Sequence, residues 1–157
     1  MQLGVSTSAS VTLEPVRYEF ANRASDEWDD NWLVISGDVS APDAEWQFAV
    51  PCLTTFEAKR ISAWLRSVAN GNIPVSAIGD AGVVPSLEFT EPNLAFSVGS
   101  YQGWSMSVRV HFALESKPVG QSSDDRDQFW VDISVTAADL DSSADEWDKA
   151  LSVFPDR

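Results

Sequence analysis

One cysteine (Cys52), one histidine (His111) and only ten Lys or Arg against 24 Asp or Glu are the scarcities of this 157-residue chain. Each of them excludes something. A single cysteine allows no internal disulfide and no metal site built on two thiolates, and it fits a reducing, cytosolic compartment. A single histidine means that any Ser-His or Cys-His machinery has to run through His111. No apolar run approaches the roughly 18 residues of a membrane span. Residues 1–7, MQLGVST, have neither the basic nor the apolar region of a secretory signal. Without clustered Lys or Arg, neither nucleic acid nor an anionic membrane is an expected partner.

What the chain does have is apolar surface and negative charge. Hydrophobic residues make up 44%, seven of them tryptophan, enough for one packed core and one domain over 1–157. The formal net charge is −14, and it is unevenly placed. Residues 24–45 hold seven acids and no base, residues 120–157 hold ten acids and three bases, and the remainder is neutral. A basic protein is the natural complement of such a surface.

Period-two alternation dominates the middle of the chain. In 105–115, Met106, Val108, Val110, Phe112 and Leu114 share one face, while Ser105, Ser107, Arg109, His111 and Glu115 share the other, the pattern of a half-buried strand. Phe129, Val131, Ile133 and Val135 repeat it, and 11–13, 16–20, 32–39, 46–50, 87–89 and 94–98 are shorter runs of the same kind. Short turns at 41–44, 90–93 and 100–103 make hairpins, so the sheet is predicted to be mainly antiparallel, with about seven or eight strands. Residues 117–127, rich in Gly, Ser and Asp, read as a long loop. Two segments change to helical period. Thr54 and Glu57 form a capping box ahead of Ala58, Ile61, Trp64, Leu65 and Val68, and Asn70-Gly71 ends that helix. Thr136 and Asp139 open a second stripe of Leu140, Ala144, Trp147, Leu151 and Phe154. The predicted class is α+β, with both helices on the apolar side of the sheet; a two-sheet sandwich with helices at its edge is the alternative.

The stretch DEWDDNW at 26–32 concentrates four carboxylates and two tryptophans. It does not follow the calcium-loop pattern, because the sixth position from Asp26 is Asn31 and the twelfth is Gly37. Asn31-Trp32-Leu33 leads into a strand, which leaves 26–30 as the exposed part. A second Asp-Glu-Trp-Asp at 145–148 falls on the predicted C-terminal helix, with Trp147 in the apolar stripe and Asp145, Glu146 and Asp148 toward solvent. His111 is expected on the exposed face of its strand. Cys52, between a strand and a capped helix, is expected as core filler. There is no Gly-x-Ser-x-Gly elbow and no phosphate-cradling glycine loop, and nothing marks two carboxylates as facing one cleft. The chain is therefore read as a binding protein rather than an enzyme, without cofactor or metal.

Several motifs, in order, resemble one family. Tyr18-Glu19-Phe20, Asp30-Asn31-Trp32-Leu33, Pro51-Cys52-Leu53-Thr54-Thr55-Phe56-Glu57 and Ala63-Trp64-Leu65 are similar to the first half of the WapI-like immunity proteins. Leu87-Glu88-Phe89-Thr90-Glu91-Pro92-Asn93-Leu94-Ala95-Phe96, Arg109-Val110-His111-Phe112-Ala113-Leu114-Glu115 and Phe154-Pro155-Asp156-Arg157 extend the match over 16–157. Ala21-Asn22 and Val119-Gly120 depart from the family pattern. The resemblance implies a cytoplasmic immunity protein of a bacterial polymorphic or contact-dependent toxin system, which binds and blocks the C-terminal toxin domain of a secreted protein. Such toxins are often nucleases. An acidic binder would occupy a nuclease's basic surface, with Asp26, Glu27, Trp28, Asp29 and Asp30 as one contact surface and Asp124, Asp125 and Asp127 as a second. The alternatives are a small-ligand or regulatory domain using a concave sheet face, and an enzyme using His111 or paired carboxylates.

Overall fold

The computed structural model describes residues 1–5, 8–22, 28–121 and 127–157. The first four strands, β1 (Gln2–Val5), β2 (Ala9–Tyr18), β3 (Trp32–Ala41) and β4 (Ala44–Thr54), follow one another as an antiparallel meander in the order β1-β2-β3-β4. Helix α1 (Thr55–Ala69) follows without a break, and β5 (Ile78–Gly79) and β6 (Gly82–Val83) make a small hairpin. A second antiparallel sheet has the order β10-β9-β8-β7, from β7 (Leu87–Glu88), β8 (Leu94–Gln102), β9 (Ser105–Phe112) and β10 (Trp130–Thr136). Helix α2 (Ala137–Leu151) closes the fold.

The class is the predicted α+β, with the helices central and C-terminal. The strands described number ten, in three sheets, rather than seven or eight in one. The additional ones are short: β5 and β6 have two residues each and β1 has four, too few to display a period, while the runs at 11–13 and 16–20 join in β2. The two larger sheets meet through their apolar faces. Leu13, Ile35 and Val39 from the first and Phe96, Val110 and Ile133 from the second belong to one buried cluster, together with Ile61 and Leu65 of α1 and Leu140 and Trp147 of α2. Trp46 and Phe48 of β4 meet Phe112 of β9 edge-on, at 5.3 and 6.0 Å between ring centres. Gly37 lies opposite Phe48 because the ring covers it; a Cβ there would stand 2.1 Å from the ring.

The β8–β9 turn falls two residues later than predicted. Gln102 pairs with Ser105, which leaves Gly103-Trp104 as a two-residue loop with Gly103 at φ +61°. Glycine at the first central position is the requirement of a type II′ turn, whose twist matches the flanking strands. The helix starts are as predicted. Thr54 with Glu57 and Thr136 with Asp139 both form reciprocal capping boxes.

Glu57 does more than cap α1. Its Oε2 accepts from Thr54 N at 3.0 Å and Thr54 Oγ1 at 3.1 Å, while its Oε1 accepts from Thr90 N at 2.7 Å and Thr90 Oγ1 at 2.8 Å. Thr54 ends β4 and Thr90 lies between β7 and β8, so one carboxylate joins the two sheets. Burial by itself would raise the Glu57 carboxyl. The hydrogen bonds from Thr54 and Thr90 outweigh it and hold the group below the ordinary glutamate range. Cys52 is fully buried, as expected, and burial, with Glu57 nearby, pushes its thiol up.

Replacing Glu57 by Ala should cost about 3 kcal/mol in denaturant unfolding near neutral pH. With the folded value depressed, this stabilisation is complete above the ordinary glutamate value and is lost as the pH falls through the lower folded value. Glu57→Gln should accordingly flatten the acid limb of the stability–pH curve, and an unchanged limb would show that the charge is not involved. A thiol reagent should leave native Cys52 unlabelled and label it fully once the chain is unfolded.

Candidate functional site

Trp28 opens the described part of the acidic stretch, with 48% of its surface exposed. A 3-10 turn, Asp29–Asn31, follows it, closed by Asn31 N donating to Trp28 O at 3.2 Å. Asp29 faces solvent, but Asp30 and Asn31 are buried. The expectation that 26–30 is uniformly exposed is therefore corrected at Asp30. With three residues per turn, successive side chains diverge by about 120°, so one acidic turn splits between water and protein. Asp26 and Glu27 lie outside the described residues.

Asn31 is a structural clasp. Its Oδ1 accepts from Thr55 Oγ1 at 2.8 Å and Arg157 N at 3.0 Å, and its Nδ2 donates to Arg157 O at 3.2 Å. Tyr18 Oη donates to Pro155 O. The Arg157 guanidinium stacks 3.4 Å from the centre of the Tyr18 ring and donates to Phe20 O at 3.0 Å. Asp156 meets Lys59 at 2.6 Å, and the bonds from Lys59 and then Thr55 hold its carboxyl low. The segments at 18–20, 31–32, 55–59 and 154–157 thus converge on one anchoring cluster.

In the second predicted patch, Asp124 and Asp125 lie outside the described residues. Asp127 is half-buried, and its carbonyl accepts from Val83 N at 2.7 Å. His111, expected to be exposed, is fully buried. Alternation placed it on the correct face of β9, but the segment 72–86 crosses that face. Arg109 Nη1 donates to Ser76 O at 2.8 Å, Ser76 N to Val98 O at 2.9 Å, and Val83 N to Asp127 O. Beneath this cover, Ser97 Oγ and His111 Nε2 stand 2.8 Å apart, each with no exposed surface. No substrate can approach that pair as the chain is folded. Among the described residues, no group of three or more His, Cys, Asp and Glu side chains is arranged to hold a metal ion. No helix among them is long and apolar enough to cross a membrane.

The acids divide by what they do. On α2, Trp147 is buried as predicted and its Nε1 donates to Ala58 O at 2.7 Å. Around it, Asp145 and Asp148 both bind Arg66, at 2.7 and 2.8 Å, Asp139 caps the helix, and Glu146 accepts from Gln2 N. The second Asp-Glu-Trp-Asp is thus tied to the fold. The open face of β2, β3 and β4 differs. Its outward positions within 12–14, 36–40 and 45–49 carry Glu14, Asp38 and Glu45 among Ser, Thr and Gln, with no Lys or Arg. Asp38 accepts from Gln47, and Glu45 from Ser40, both uncharged partners. The sequence reading gave this face no role. Its signal was the alternation Ser36, Asp38, Ser40 opposite Val39 and Ile35.

These features define an α+β domain in which two larger antiparallel sheets and two helices share one buried core. A comparison with protein-family models matches residues 2–155 to the immunity protein WapI-like family, and the chain belongs to it. Searches of curated proteins and of solved structures give no match.

Asn31→Ala should strip hydrogen-exchange protection from the Arg157 amide and cost about 2 kcal/mol of stability, because it removes the acceptor of the Arg157 amide and one acceptor of Thr55 Oγ1. Retained protection at full stability would show that the clasp is idle.

Proposed function

We propose that this chain is a bacterial, cytoplasmic immunity protein that neutralises the toxin domain of a cognate secreted protein by stoichiometric binding, and that the surface it covers on the toxin is basic. Membership of an immunity-protein family supports the toxin-binding role. The observation that carries the basic partner is the open face of β3 and β4, where Asp38 and Glu45 accept only from uncharged partners and form no salt bridge among the described residues. Carboxylates that no cation of the chain engages are available to a basic partner. A nuclease is the toxin class that suits this face, because gripping a phosphate backbone requires clustered Lys and Arg. Opposed fields chiefly raise the association rate and enforce specificity. In this reading Trp28 is an exposed aromatic anchor. Asp26, Glu27 and Asp29, with Asp124, Asp125 and Asp127, extend the acidic contact, and buried Asp30 shapes the turn from within.

The direct test is co-expression with the toxin domain encoded immediately upstream. The chain should rescue growth and co-purify with that domain; failure of both ends the proposal. Affinity should fall steeply as salt rises. Neutralising the face as Glu14→Gln, Asp38→Asn and Glu45→Gln together should slow association about tenfold at low salt while the melting temperature holds. An unchanged association rate would sink the electrostatic part.

A further inference from the structure

At the β3–β4 turn the acidic face gives way to aromatic side chains. A hollow of about 300 Å³ opens between this turn and the start of β10, walled by Trp46, Phe129 and Trp130 and rimmed by Asp43 and Asp132. A second, of about 310 Å³, shares Trp46 and adds Asp38 and Glu45. Among the described residues, no Lys or Arg lines either one. Asp43 and Asp132 thus rim the groove that Trp46 walls, and Asp38 and Glu45 stand on the outward face of the same strands nearby.

The walls are fixed before anything binds. Trp46 Nε1 donates to Ser116 O at 2.8 Å, and its ring packs on Phe112 and Phe129 at 5.3 and 6.0 Å. Trp130 Nε1 donates to Asp132 Oδ2 at 3.1 Å, and Asp132 Oδ1 also accepts from Ser107 at 2.9 Å. Rings held in this way lose little freedom when a partner arrives. The same groups already receive an arginine from within the chain. Arg109 lies 5.6 Å over the Trp130 ring and 3.2 Å from Asp132. A guanidinium suits such a site because it stacks on aromatic faces and forks onto carboxylates. The larger hollow, about 530 Å³ between β2 and α2, has Lys149 on its rim beside Glu14 and Glu146. Its mixed sign selects no occupant.

We propose that the Trp46–Phe129–Trp130 groove anchors the toxin interface and takes an arginine side chain from a basic segment of the toxin domain. The inference rests on the toxin-binding reading above and adds where the partner is held and by which residue type.

The test uses the full chain with the upstream-encoded toxin domain, read by calorimetric affinity. Asp43→Lys reverses the rim charge on an exposed turn, and Ala44→Arg fills the mouth with a cation of the chain's own. Each should weaken binding by about thirtyfold or more without moving the melting temperature. Glu14→Lys makes the same charge change elsewhere on the acidic face and should cost far less. One toxin arginine, changed to Ala, should couple non-additively with Asp43→Lys in a double-mutant cycle. Wild-type affinity in both groove variants overturns the proposal. Equal losses from Asp43→Lys and Glu14→Lys also overturn it, because a general field would then account for both. If the unaltered chain does not hold the toxin, the underlying reading falls, an outcome distinct from either of these.

Discussion

The fold turns on one carboxylate. Glu57 leaves β4 as the third residue of α1 and accepts four hydrogen bonds, two from the strand end it has just left and two from Thr90 at the entrance to the second sheet. A buried charge is costly unless it is fully coordinated, and here donors on opposite sides complete the coordination. Neither sheet can shift against the other without uncovering that charge. The apolar cluster supplies the general driving force, but apolar contact is non-directional. Glu57 gives it a register, and Asn31 does the same for the chain ends by holding Arg157 and Thr55 at one amide.

The sequence shows what is local. Both capping boxes, the stripe on each helix and the long strands are written in neighbours three or two residues apart, and the structure has them where that spacing puts them, except that β9 stops at Phe112, before a 3-10 turn at Leu114–Ser116, and α2 stops at Leu151, short of Phe154. What is not written locally is who covers whom. His111 alternates correctly onto the outer face of β9, yet no pattern within 105–115 announces that 72–86 will cross that face. Glu57 reads as a cap from Thr54, while its second pair of bonds, to Thr90, spans 33 residues. Asp30 reads as one acid among four, and only the three-residue turn separates it from Asp29. Each of these differences is a tertiary contact overriding a pattern that is correct at its own scale.

The motifs that carry the family resemblance are themselves mostly structural. Tyr18, Asn31, Thr55 and the closing 154–157 meet in the clasp, Glu57 and Thr90 meet across the sheets, and His111 lies under cover. These residues identify the fold because they build it. An immunity protein has to match one toxin, and buried residues cannot do that matching. In the proposed function, specificity would fall to positions the motifs leave open, such as the outward face of β2–β4, the β3–β4 turn and Trp28.

Charge sorts in the same way. Asp139, Asp145, Asp148 and Asp156 are engaged by caps or cations of the chain itself, so their contribution to an external field is partly cancelled. Glu14, Asp38, Asp43 and Glu45 meet no such cation among the salt bridges of the described residues. Like charges on one face repel, and a net charge of −14 works against compactness. A fold that leaves Asp38, Asp43 and Glu45 without a salt bridge, beside an aromatic groove held by its own hydrogen bonds, carries repulsion that a cationic partner would relieve. Relief of repulsion is gained only on association, so it adds to the difference in affinity between a basic partner and any other protein.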